Sequence, residues 1–254
     1  MTWKGLTLAV LAGSFVAGCS TGPCPRGQEL REERYDATRM KARGCVGKDA
    51  QGNYRLEGPW EFYYPNGNKQ AEGEYRQAFE GGAKDHDGIL MDGRQGRWFF
   101  WHENGQKSME GNYQNGKAEG IHTAWYENGQ TFDEVTYRNG LREGMSTAWY
   151  DNGQKAQEGT YRNGLLEGIH VGWWANGQKG AETTYRNGLR EGMSTGWHEN
   201  GQQAQESTYR NGLREGIFSL WWENGQKGEE ITYRNDEAVP GTRKEWDVKG
   251  KPIR

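Results

Sequence analysis

Purely hydrocarbon side chains of the larger kind are scarce in this chain: isoleucine, leucine, valine and phenylalanine together fill only 32 of 254 positions. By composition alone so small a share suggests disorder, yet the formal charge of −3 gives no self-repulsion to hold the chain open. The 12 Trp and 13 Tyr offset the shortage, because aromatic rings bury far more area each. No block of Lys or Arg occurs, so neither nucleic acid nor an anionic leaflet is an electrostatic partner. No Gly-x-Ser-x-Gly, phosphate loop or unique carboxylate dyad is found. Nor does any cysteine pair with a histidine inside the body of the chain. The expectation is a protein that is not an enzyme and carries no cofactor. A sustained 3.6-residue period is also absent, which argues against helices.

What is present is repetition. Asn-Gly-Gln recurs at a 24-residue step at Asn104, Asn128, Asn152, Asn176, Asn200 and Asn224. A second ladder, Tyr-Gln-Asn-Gly at Tyr113 and then Tyr-Arg-Asn-Gly at Tyr137, Tyr161, Tyr185 and Tyr209, runs between them and fades at Tyr233-Arg234-Asn235-Asp236. Fixed periods of this length mark stacked repeats. Residues 141–164 and 189–212 agree at 19 of 24 positions, as internal duplication would leave them. Asn-Gly between apolar-aromatic runs is the strongest short hairpin signal, because a type I′ turn needs positive φ at both central residues. Each unit therefore reads as two strands and two turns. The predicted fold is all-β, an elongated antiparallel meander over residues 53–254, with some fifteen strands at ~4.8 Å spacing.

With two-residue turns, Trp149 falls opposite Ala156, Tyr150 opposite Lys155 and Gly144 opposite Tyr161. Alternation then gives two faces, preserved in every repeat because 24 is even. One carries Met145, Thr147, Trp149, Ala156 and Thr160, with counterparts such as Ile121, Ile169, Met193 and Ile217. The other carries Ser146, Ala148, Tyr150, Lys155, Gln157 and Tyr161. The first is the more apolar and is the expected core side.

The start of the chain reads differently. Lys4 precedes a largely apolar stretch from Leu6 to Val16, too short to span a bilayer and fitting an export signal over 1–18. Without Lys4 the balance is 31 basic to 35 acidic residues, a charge of −4. Residues 19–52 read as a tether with one short strand. Cys24 and Cys45 form an even pair upstream of the repeats, either a disulfide or two free thiols. They lack the companions of a zinc site.

Taken together, Gly-x4-Trp-x2-Asn-Gly-Gln and Tyr-Arg-Asn-Gly resemble the MORN repeat in its bacterial Asn-Gly-Gln variant. The likeness rests on Gly144, Trp149, Asn152, Gly153, Tyr161 and Gly164 with their equivalents. It implies an array that scaffolds proteins or touches lipid. Some relatives are labelled antitoxin components, a role that does not suit an exported chain. Val16-Ala17-Gly18-Cys19 resembles a bacterial lipobox, which implies lipidation of Cys19. Ser20 then favours the outer membrane, and the acyl chains would be the anchor. The resulting expectation is an outer-membrane lipoprotein of the cell envelope that binds another envelope protein.

Three features are candidates for function. Tyr126, Tyr150, Trp174, His198 and Trp222 form a row on the second face, ~10 Å apart. Such rings can stack on sugars or bury partner side chains, which makes envelope glycan the alternative ligand; they can equally stack on Tyr137, Tyr161 and Tyr185. The insertion from Ala78 to Met91, revealed because Asn66 and Asn104 are 38 apart instead of 24, holds Asp85-His86-Asp87 without calcium-loop spacing and reads as a solvated loop. His122 and His170 share a repeat position but lie ~19 Å apart, too far for one metal, and no metal site is expected. The Glu143, Glu167, Glu191 and Glu215 column with Arg142, Arg190 and Arg214 reads as a solvated edge.

Overall fold

A computed structural model of the chain describes residues 24–79 and 81–253. The export signal at 1–18 and the lipidation candidate Cys19 lie outside the described residues. Those residues form a 19-stranded antiparallel sheet in which pairing follows chain order, from Glu29–Arg34 to Lys244–Glu245. The predicted all-β meander is the observed architecture.

The two turn classes differ although both contain Asn-Gly. At Asn163-Gly164 both residues have positive φ (51° and 81°) and the flanking Arg162 pairs with Leu165, which is the two-residue type I′ turn expected. Around Asn152 only Gly153 is left-handed (φ 82°). There the Tyr150 N–H donates to the Gln154 carbonyl and the Gly153 N–H to the Tyr150 carbonyl. This is a three-residue loop ending in a left-handed glycine, so the two-residue reading of the Asn-Gly-Gln turns is corrected. The cause is the asparagine side chain: Asn152 Oδ1 accepts the Gln154 N–H at 3.0 Å while Nδ2 donates to the Ala175 carbonyl at 2.8 Å. The longer loop moves Trp149 opposite Lys155 and leaves Ala156 as a bulge, after which Gly144 meets Tyr161 as predicted.

The expected core side is reversed. Ile121, Met145, Ile169, Met193 and Ile217 are 57–60% exposed. Trp149 and Trp173 on that face are only half-buried, and Lys155 Nζ lies 5.7 Å from the Trp173 ring centroid. The core lies on the face of Ser146 and Tyr161. Trp60, Trp98 and His122 occupy the Ser146 position in earlier units and are all buried. Each ring lies across a glycine of the preceding hairpin: a Cβ on Gly73 would come within 2.2 Å of Trp98, and one on Gly111 within 2.3 Å of His122. Counting apolar residues favoured the wrong face because burial in one layer depends on rings finding glycine gaps, not on aliphatic content.

Two boundaries also move. Residues 29–48, expected within a tether, form the strands Glu29–Arg34 and Met40–Lys48, with Ala42, Cys45 and Val46 buried. Cys24 and Cys45 are joined as a disulfide with Cα atoms 5.7 Å apart, so the segment before the first strand is bonded to the second. The insertion is not a solvated loop either: Ile89 and Leu90 are buried against the cluster of Leu56, Trp60, Tyr75 and Trp98. Charged residues occupy both ends of the sheet, ELREER at the first strand and Lys244-Glu245 at the last, which discourages edge pairing.

This packing ranks the tryptophans. Trp98→Ala should cost about 3–5 kcal/mol, because the ring is fully buried and leaves a cavity. Trp149→Ala should cost roughly 1–2 kcal/mol, as a half-buried ring on the open face. Urea unfolding of the two variants checks the order; equal losses would restore the face first expected.

Candidate interaction face

The aromatic row has a use that its alternation did not reveal. Tyr126 Oη donates to the Trp149 carbonyl at 2.8 Å and Tyr150 Oη to the Trp173 carbonyl at 2.7 Å. Trp174 Nε1 donates to Trp197 O at 2.9 Å, His198 Nε2 to Trp221 O at 2.8 Å, and Trp222 Nε1 to Trp246 O at 3.2 Å. Tyr64 and His102 make the same bond to Trp101 and Trp125. Every ring at this position carries a donor, and no phenylalanine occurs there. The row is thus a set of ties from each unit to the next, and not a layer stacked on Tyr137, Tyr161 and Tyr185.

Ring size is matched six residues on. Trp174 and Trp222 face Gly180 and Gly228, where a Cβ would lie 3.2 and 3.0 Å from the indoles. Tyr150 and His198 are followed at that spacing by Ala156 and Ala204. With their N–H groups bonded, Trp174 and Trp222 still keep 36% and 42% of their surface exposed. They line an open groove of about 1030 Å³ with Gly196, His198, Leu220 and Trp246. Three of its walls, Trp174, His198 and Trp222, are rings already held by hydrogen bonds, so a ligand would meet a preformed apolar surface. Of the candidate row, Trp174, His198 and Trp222 are brought together in the groove; Tyr126 and Tyr150 are not.

The glutamate column is likewise not a solvated edge. Glu143 accepts the Asn163 backbone N–H at 2.9 Å, and Glu119, Glu167, Glu191 and Glu215 accept those of Asn139, Asn187, Asn211 and Asn235 at 2.8–3.0 Å. Each carboxylate binds the type I′ turn of the next unit. A left-handed asparagine has its amide turned outward, and the acid twenty residues earlier was the available signal. Arg142 and Arg190 lie over the Tyr161 and Tyr209 rings at 5.2 and 5.1 Å and bond their hydroxyls. Sequence reasoning missed Arg94 altogether. It is buried over Trp98, Phe100 and Tyr113, and bonds Asp85 Oδ2 at 2.5 Å and the Leu90 carbonyl at 3.0 Å.

His122 and His170 face different neighbours. His122 Nε2 donates to the Asn112 carbonyl at 2.8 Å, between the edges of Tyr113 and Tyr137. His170 meets Tyr185 edge-on. Among the described residues no group of three His, Cys, Asp or Glu is placed to hold a metal.

The family model described as "MORN repeat variant" matches residues 56–77, 94–115, 118–139, 142–163, 190–211 and 214–235, just over half of the chain. The unit at 166–187 between matches makes the same ring and turn bonds through Trp174 and Asn187. No curated protein matches the sequence. Among solved structures, one titled "Crystal Structure of TcdB2-TccC3-Cdc42" aligns with 89% of this chain and 13% of its own, at 10% identity and a TM-score of 0.22. The chain therefore spans a small part of that structure's length, and a likeness so distant carries no argument.

Two outcomes follow from this geometry. Tyr150→Phe removes one inter-unit bond and should cost about 1 kcal/mol, while leaving the Trp173 carbonyl to water; chemical denaturation measures it, and no loss would deny the ring its role as a tie. Burial holds the His122 imidazole below its ordinary range, against the opposing pull of its bond to Asn112. The unfolded ring titrates near ~6.5 and so binds protons that the folded ring refuses. Stability contributed by the neutral ring is present above that value and is lost as pH falls from there toward the depressed folded value. His122→Phe, which copies Phe218 at the same repeat position, should flatten the fall in melting temperature as pH drops below about 6.5. An unchanged slope would rule His122 out as its source.

Proposed function

The chain belongs to the MORN repeat variant family, and from that premise we propose that it is an outer-membrane-anchored scaffold, non-catalytic, that binds another protein of the cell envelope. The observation that carries this reading is the exposed row of Ile121, Met145, Ile169, Met193 and Ile217, repeated in register on a sheet whose units are bonded together. Large apolar side chains left uncovered in one line are typical of surfaces that meet protein. A second layer would cover them; the described residues form none. The resemblance of Val16–Cys19 to a lipobox supports anchorage through Cys19, and the Cys24–Cys45 bridge accords with an oxidising compartment.

A second reading is binding of envelope glycan, peptidoglycan or polysaccharide. It is favoured by the exposed indole faces of Trp174 and Trp222 along one groove, since aromatic faces suit the apolar faces of sugar rings.

Affinity capture from envelope extract separates the two. We expect a specific protein retained by the wild type and released when Ile169 and Met193 are both changed to Ser, with the melt unaltered. Retention of murein or polysaccharide instead, abolished by Trp222→Ala, would replace the scaffold with the glycan reading.

A further inference from the structure

The protein contains a worked example of how its own repeat face holds a peptide. The insertion crosses the core-side face of the first units as a two-point contact. Ile89 and Leu90 sink against Tyr75 and Trp98, and the Tyr75 hydroxyl donates to the Leu90 carbonyl at 2.7 Å. Asp85, four residues before Ile89, reaches Arg94 at 2.5 Å. Arg94 itself pairs across the ladder with Tyr75 and lies over the tyrosine of the following unit, Tyr113, at 5.3 Å.

The arginine and tyrosine part of this arrangement recurs without an insertion to fill it. Arg142 pairs with Tyr137 and lies over Tyr161; Arg190 pairs with Tyr185 and lies over Tyr209. These are the ladder positions of Arg94 and its contact with the tyrosine of the following unit, while Trp98 and Phe100 give way there to Ser146 and Ala148, and to Ser194 and Gly196. The difference is occupancy by charge: Arg94 is buried and bonded to a carboxylate, whereas Arg190 is exposed, Arg142 is half-exposed, and neither has a salt bridge among the described residues. Arg214, the next equivalent, is already paired with Asp236 at 2.6 Å.

We propose that the core-side face around Arg142 and Arg190 is a docking site for an extended segment of a partner protein, bearing a carboxylate about four residues ahead of a pair of aliphatic side chains. The carboxylate pairs with an arginine held over a tyrosine ring, as Asp85 pairs with Arg94. The aliphatic pair covers the tyrosine rings, and a tyrosine hydroxyl donates to the segment's backbone, as Tyr75 does to Leu90. The charge complementarity selects an acidic segment over a basic one. This rests on the scaffold reading and adds a second contact for its partner, on the face opposite the Ile169 and Met193 row.

The test uses the purified protein and a labelled synthetic peptide with the sequence of residues 81–92, followed by fluorescence anisotropy. Saturable binding is expected, at least tenfold weaker for a peptide carrying Asp85→Asn, and at least tenfold weaker again for one carrying Ile89→Ser with Leu90→Ser. On the protein, Arg142→Gln with Arg190→Gln should weaken the unaltered peptide at least tenfold while the melting temperature stays within a degree or so, both side chains being partly solvated. A photoreactive group at peptide position 89 should crosslink within residues 137–233. No saturation at millimolar peptide, indifference to the peptide's aspartate, or crosslinks confined to residues 42–100 would overturn the proposal. A dimer by light scattering, dissociated by the peptide, would assign the site to a second copy and also overturn it. If the peptide fails while the envelope capture still yields a protein released by the Ile169 and Met193 changes, the scaffold reading stands and this site alone is lost.

Discussion

A one-layer sheet has no opposing sheet or helix to bury its rings, so its units must be held to each other along the sheet. The bond that does this is the aromatic donor of one hairpin reaching the tryptophan carbonyl of the next, repeated from Tyr64 to Trp222. Asparagine Nδ2 groups make a parallel set of bonds one turn away, such as Asn128 to the Asp151 carbonyl at 3.0 Å. Glutamates make a third set at the opposite turns. Each is worth only about 1 kcal/mol net, but from Glu119 to Glu215 their common 24-residue step brings all three together in each unit. Sequence constraint follows directly: a ring without a donor, or a turn residue other than asparagine, would remove one side-chain tie and leave the backbone ladder to join the two units.

The same constraint explains why glycine is so frequent. At Gly153 it is required by the left-handed turn, where φ is 82°. At Gly73 and Gly111 the need is different: the backbone must leave room for a ring from the next hairpin. Burial is therefore concentrated where glycine gaps and large rings coincide, in the units of Trp60, Trp98 and His122. It thins out where Ser146 and Ser194 replace the rings.

Local periodicity made the fold readable and left the faces ambiguous. Asn163-Gly164 announced a hairpin, and the even repeat length guaranteed that facing would persist. Neither fact says which face is covered. Met145 and Ile169 looked like core because they are apolar, yet burial here is decided by contacts between units 24 residues apart, which a reading of one unit does not contain. The tie role of Tyr150 and Trp174 was legible in principle, since only donor-bearing rings stand in that column. The pairing of Glu143 with Asn163 needed knowledge of where the turn amide points. Arg94 and Asp85 were beyond reach because they join the repeat to an insertion that breaks the period.

That insertion makes the array unequal along its length. Its first units are sealed by Ile89 and Leu90, by the Arg94–Asp85 pair and by a hairpin bonded through Cys24–Cys45. Its later units keep the tyrosines and arginines that receive such a segment but have none of their own. On the proposed anchorage through Cys19, the sealed end is the one nearest the membrane, and the uncovered face begins several hairpins farther out. Rigidity and vacancy are then separated along the repeat: the closed end is packed by its own insertion, and the open end presents preformed rings at little cost in ordering on binding. A uniform array could not do both, because the ring-and-glycine packing that stabilises the first units is the feature that closes their surface.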